Sequence, residues 1–150
     1  LKDYSKAINN YLNAILLEPY RSEFYNALGI VYYKIKNVDE ALNSFSKAVK
    51  INEYDALAWY NRACVLVLKN DVNEALNSLQ IAISLNPSLR DVAKNDEDFV
   101  SINNDSRFVQ IINSSPPNIV GDSINIKDNN MTVFDSFDDL PEDLELLLGH

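Results

Sequence analysis

The sequence matches itself at a spacing of 34 residues, and that period restricts the fold more than any other feature. Ala7, Ala41 and Ala75 align, then Tyr11, Phe45 and Leu79, then Ala14, Ala48 and Ala82. Leu17, Ile51 and Leu85 keep the same step. A fixed period of this length builds a stack of like supersecondary units, each burying its apolar face on its neighbours, rather than one closed core.

Within a period the apolar spacing is helical. Ala41, Leu42, Phe45, Ala48 and Val49 fall on one face of an α-helix, and Tyr25, Leu28, Gly29 and Tyr32 do the same one helix earlier. Between them lies Asn37-Val38-Asp39-Glu40, a capping residue followed three positions later by Glu, and its copy is Asp71-Val72-Asn73-Glu74. The first side chain accepts from an orphan amide of the new helix while the Glu reaches back. Each unit therefore reads as helix, tight turn, helix, closed by Asn52-Glu53 or Asn86-Pro87.

These residues resemble the tetratricopeptide repeat, whose pattern is an aromatic, then Leu-Gly, Tyr, Ala, Phe and Pro at set spacings. Tyr25, Leu28, Gly29, Tyr32, Ala41 and Phe45 fit it, with Glu53 in the Pro slot. Trp59, Arg62, Ala63, Leu66, Ala75, Leu79 and Pro87 fit it more loosely. Gly29 and Ala63 are small enough to let the two helices of a unit approach closely. Lys36 and Asn70 stand where the family often has Gly in the turn, so Lys36 is expected to be mildly strained. The expected fold is an all-α solenoid with repeats over 1–87, the first incomplete, and capping helices over 88–113. A linker and acidic tail follow over 114–150.

Asp3 occupies the capping slot of Asn37 and Asp71, so residues 3–18 read as a second helix without its first. Its apolar residues Ile8, Tyr11, Leu12 and Ile15 are expected to meet water unless further repeats lie upstream or a partner covers them. After Pro87 the period decays. Phe99, Ile102, Phe108, Ile111 and Ile112 supply a new apolar set, read as a short helix, a turn at Asn103-Asn104-Asp105 and a final helix. This ending is similar to that of many bacterial, cyanobacterial and plastid repeat proteins. The likeness implies a cytoplasmic location or, by analogy, the cyanobacterial cytosol or plastid stroma. Ser114-Ser115-Pro116-Pro117 then reads as a boundary. In the tail, Leu140, Leu144, Leu147 and Leu148 share one helical face beside Asp139, Glu142, Asp143 and Glu145. That face is read as an interaction segment, docked on the solenoid or on a partner.

Residues 1–113 carry 12 Lys and Arg against 14 Asp and Glu, whereas residues 114–150 carry one Lys against eight acids. No basic stripe is present to neutralise phosphates, which argues against a nucleic-acid partner. No apolar run reaches the ~20 residues of a membrane span. The only histidine is His150, so a Ser-His-Asp or Cys-His arrangement lacks its base, and Cys64 has no metal-ligand spacing around it. The three glycines are never clustered, so no phosphate-cradling loop is expected. No catalytic residue, metal or cofactor is predicted, and the chain is not read as an enzyme.

The resemblance implies that first helices line a concave groove that takes a protein or peptide segment. Carried over by helix phase, the groove residues are Asn26, Ile30, Tyr33 and Lys34, then Tyr60, Asn61, Cys64 and Val67, with Asp91, Lys94 and Asn95 continuing the row. Tyr supplies area and Asn bonds a peptide backbone. One branch of the family clamps a chaperone carboxylate. Of its slots only Asn61 agrees here, and Asp91 repels a carboxylate. The expected function is an interaction scaffold or assembly factor. Self-association through the first helix or the Leu-rich tail is the alternative.

Overall fold

A computed structural model describes residues 3–114. The tail and its Leu140, Leu144, Leu147 and Leu148 lie outside the described residues. Seven α-helices follow in order: α1 Tyr4–Leu17, α2 Ser22–Lys34, α3 Val38–Ile51, α4 Ala56–Leu68, α5 Val72–Leu85, α6 Leu89–Asn95 and α7 Ser106–Asn113. A 3-10 helix, Glu97–Ile102, separates the last two, and no strand occurs among the described residues. None of these helices is long and apolar enough to cross a membrane.

Short acceptor side chains set the starts of α1, α3, α4 and α5. Asp3 accepts from the Lys6 amide at 3.0 Å, Asn37 from Glu40 at 3.4 Å, Asp55 from Ala58 at 3.0 Å and Asp71 from Glu74 at 3.4 Å. Each satisfies one orphan amide of the first turn. The expected return bond from Glu74 is replaced: its carboxylate meets Arg62 Nη2 at 3.5 Å. First helices end in a left-handed residue, Lys36 at φ 63° and Asn70 at φ 61°. There the amides of Asn37 and Asp71 donate back to the Tyr32 and Leu66 carbonyls, both at 2.9 Å. This closure satisfies the last carbonyls without glycine.

Helices α2 and α3 pack as one pair and α4 and α5 as the next, while α1 lies on α2 and α3 on α4. Ala41, Phe45, Ala75, Leu79 and Ala82 are buried at this seam. Gly29 sits under the Phe45 ring so closely that an added Cβ would lie 2.6 Å from Cε1. The ring of the first pair takes the space of the missing side chain. In the second pair Ala63 stands where Gly29 does, opposite the smaller Leu79.

Helix α1 corrects one expectation. Tyr11 does not meet water: it is wholly buried with Ala27, Leu28 and Val31, and Ile8 and Ile15 pack half-buried beside that cluster. Among the four residues expected to be bare, only Leu12 is exposed, joined by Leu16 and Leu17 farther along. The reason is angular. An α1 face lies on α2 whether or not a helix precedes it, and Tyr11 belongs to that face. Its hydroxyl has no hydrogen-bond partner among the described residues, and burial pushes its pKa up.

At the other end, Phe99, Ile102, Phe108 and Ile111 join the core built by α4 and α5. The Phe99 and Phe108 rings stack at 5.6 Å. Arg107 donates to Asn73 of α5 at 2.6 Å and grips both carboxylate oxygens of Asp105, at 3.1 and 2.8 Å. That bidentate contact holds the Asp105 pKa down at about 2.

Candidate functional site

The side of the stack where a groove was expected is partly filled by the chain itself. The Glu97–Ile102 helix packs on α4. Phe99 meets the Tyr60 ring edge-on at 5.6 Å, and the Tyr60 hydroxyl donates to Asp96 Oδ2 at 2.6 Å. Beside it, the Tyr33 hydroxyl of α2 donates to Asp98 Oδ1 at 2.6 Å. Asp96 also accepts from the Asp98 amide through Oδ1 at 2.9 Å, which starts the 3-10 turn and aims both carboxylates back at the repeats. Burial above all raises the pKa of both phenols, seconded by Asp98 at Tyr33 and by Cys64 and Asp96 at Tyr60.

Cys64 lies under the same turn. Its sulfur and one oxygen each of Asp96 and Asp98 fall within 4.8 Å of one another. The two carboxylates already accept from Tyr60 and Tyr33, so the cluster acts as a latch between repeats and cap. Burial, followed by Asp96 and Asp98, pushes the Cys64 thiol well above its ordinary value. A buried thiol held protonated is a poor nucleophile.

The expected groove row is therefore split. Tyr60, Cys64 and Val67 are buried, as is Asn26, so the expectation that Tyr60 faces outward is corrected. The cap occupies the surface it would have shown. Asn61 is half-buried and donates from Nδ2 to Asn26 Oδ1 at 3.2 Å, spending one amide on another. Ile30 and Tyr33 remain half-buried and Lys34 exposed.

What stays open is a cleft of about 860 Å³ between α2, α6 and the turn after α6, lined by Tyr33, Asp91, Val92, Asn95, Asp96, Glu97 and Asp98. Four of the seven lining side chains are carboxylates, so the wall is strongly anionic. Lys94 offsets one of them, reaching Asp91 at 3.6 Å. Val92, Asp96, Glu97 and Asp98 were not singled out for this row from the sequence. Their contribution depends on how a non-repeating segment folds back.

The opposite side of the stack holds a second opening of about 150 Å³, over α2 and between α1 and α3, lined by Leu12, Ile15, Tyr25, Leu28, Tyr32, Glu40, Asn43, Ser44 and Lys47. One repeat on, the equivalent space is closed by Arg62. Its Nε donates to Ser46 Oγ at 3.1 Å and its Nη1 to Ser78 Oγ at 2.5 Å. Its guanidinium also lies 5.8 Å from the Trp59 ring centre.

Helix pairs of this geometry agree with comparison against known families: the tetratricopeptide repeat model matches residues 22–55 and again 56–89. A comparison with curated proteins finds no match. Two successive repeat matches, each spanning one observed helix pair and the turn that follows it, show that residues 22–89 of this chain are tetratricopeptide repeats.

Proposed function

We propose that this chain is an interaction scaffold or assembly factor that captures a cationic segment of a partner protein in the cleft between α2, α6 and the Asp96–Asp98 turn. Repeats of this family generally mediate protein–protein interaction, and the family reading favours a binding module over an enzyme. The observation that carries the choice of surface is the 860 Å³ cleft with Asp91, Asp96, Glu97 and Asp98 on its wall. Lysine or arginine side chains match that wall, while the Tyr33 ring offers apolar area to their methylene stems.

The test uses two synthetic peptides of equal length, one rich in Lys and Arg and one rich in Asp and Glu, titrated by fluorescence anisotropy. The cationic peptide is expected to bind the full chain, and Asp91→Lys with Glu97→Lys to weaken it about tenfold. Equal binding of both peptides, or no response to the charge reversal, would remove the cleft from consideration.

Self-association is a second reading, favoured by one observation: Leu16 and Leu17 on α1 are 80% and 82% exposed. Light scattering across a hundredfold range of protein concentration separates the two, because a constant monomer mass rules out joining through α1.

A further inference from the structure

We propose that the acidic leucine segment of this same chain, residues 139–148, docks in the groove between α1 and α3 over α2. The inference is independent of the reading of the anionic cleft, and that cleft helps to place it. The tail carries eight acids against one lysine, so the wall of Asp91, Asp96, Glu97 and Asp98 repels it. The groove on the opposite side has a different chemistry. Its floor is Leu12, Ile15 and Leu28, and Lys47 stands on its rim.

The second repeat shows what such a groove takes. There a long side chain, Arg62, lies across the floor and is held by serines from the helices on either side. In the first repeat Leu28 takes the place of Arg62 and Leu12 that of Ser46, so among the described residues no side chain spans the same opening, and these leucines share its lining with Glu40, Asn43, Ser44 and Lys47. Its 150 Å³ is of the size that accommodates one benzene-sized apolar group, which a leucine supplies.

Charge fixes the direction of docking. Glu40 and Lys47 line the groove seven residues apart on α3, about 10 Å along the helix. The tail has the complementary polarity, with acids at Asp139, Glu142, Asp143 and Glu145 followed by the uncharged Leu146, Leu147 and Leu148. Laid antiparallel to α3, the acids meet Lys47 while the leucines end near Glu40. Reach is sufficient. Helices packed about 10 Å apart place α1 within about 60 Å of α7. The residues from 115 to 138 span up to about 80 Å when extended. So short a helix is marginal in water and is stabilised by the surface it covers.

The test is amide hydrogen exchange on the full chain, read at residues 139–148. Docking predicts exchange slowed about tenfold or more relative to Leu144→Asp with Leu147→Asp, changes outside the repeats that leave their folding alone. Leu12→Asp and, separately, Lys47→Glu should each lose most of that protection, with helicity by circular dichroism unchanged. Lys47 is exposed, so its variant keeps the test valid even where Leu12→Asp disturbs α1. Absence of protection in the parent would overturn the proposal, as would protection unaffected by Lys47→Glu. Protection that rises with protein concentration would also overturn it, because the occupant would then be a second copy.

Discussion

Among the described residues, the second repeat is closed on both of its sides, whereas the first is left largely open. Over α4, Arg62 links Ser46 of α3 to Ser78 of α5 and reaches Glu74. On the other side of α4, Phe99 and Asp96 cover Tyr60, and Cys64 lies beneath the same turn. Over α2 the corresponding groove has Leu28, and on the other side the Tyr33 hydroxyl is engaged by the cap, at Asp98. The helix scaffold is the same in both. What differs is a handful of side chains that either satisfy their neighbours inside the chain or leave surface for something else. Side chains that the repeat pattern does not fix thus decide how much surface each unit leaves open.

The largest expected effect comes from removing the close approach that distinguishes the first pair. Gly29→Leu drives a side chain into the Phe45 ring, which already stands 2.6 Å from where a Cβ would be. Overpacking of this kind costs about 1–3 kcal/mol, read as a lower midpoint in urea. The matching change Ala63→Leu, opposite Leu79, should cost less, because Leu79 is smaller than Phe45 and the change adds less volume than Gly29→Leu. Equal losses at the two positions would mean that the pairs are packed alike.

Arg62→Leu converts the closed groove toward the open one. It removes the bonds to Ser46 and Ser78, the latter wholly buried, while Glu74 on the exposed rim contributes little. Ser78 has an alternative, since its counterpart Ser44 donates to the Glu40 carbonyl at 2.9 Å. The expected loss is therefore about 1–2 kcal/mol rather than the full cost of an orphaned hydroxyl. Leu28→Arg together with Leu12→Ser makes the reverse exchange, and the comparison predicts that it fills the first groove.

Much of this was legible in the sequence. The 34-residue period located α1 to α5, the capping residues Asp3, Asn37 and Asp71 marked the starts of α1, α3 and α5, and Gly29 announced a tight contact. Local chemistry decides all of these, so a local reading finds them. The burial of Tyr60, Cys64 and Val67 was not legible, because the partner of Tyr60 lies 36 residues away in a segment outside the period. Helix phase shows which side a residue takes but not what later folds over it. Arg62 was read only as a loose match to the repeat pattern. Its role emerges when it is set beside Leu28 with both helices in place.

Tyr60→Phe probes the closed side. It deletes the hydroxyl that donates to Asp96 and leaves the ring contact with Phe99, at an expected cost of about 1 kcal/mol. Cys64 provides the readout, being the only thiol and buried against the same turn. Labelling by a thiol reagent under native conditions is slow in the parent and should accelerate about fivefold in Tyr60→Phe, in proportion to cap opening. Tyr33→Phe, on the open side, should act more weakly, because Tyr33 is less buried. If both variants label at the parent rate, the phenol–carboxylate pairs do not hold the cap.

The smallest effect concerns the turns that end α2 and α4, where the two repeats differ by one residue. Lys36 and Asn70 share a left-handed conformation, at φ 63° and 61°. A lysine there brings its Cβ toward the following carbonyl oxygen, a cost of about 1–2 kcal/mol, whereas asparagine tolerates the region better. Glycine removes the strain but adds freedom to the unfolded chain, worth about 0.4–1 kcal/mol in the opposite direction. The net gain from Lys36→Gly is therefore about 0.5 kcal/mol, seen as a rise of a few degrees in melting temperature. Asn70→Gly should change the midpoint by less. The difference between the two variants is the quantity to measure, since the unfolded-state contribution of glycine is nearly common to both and cancels. A larger gain at Asn70 would show that the turn after α4, not the one after α2, stores the strain. The first repeat would then be open in its surface without being the weaker of the two in its backbone.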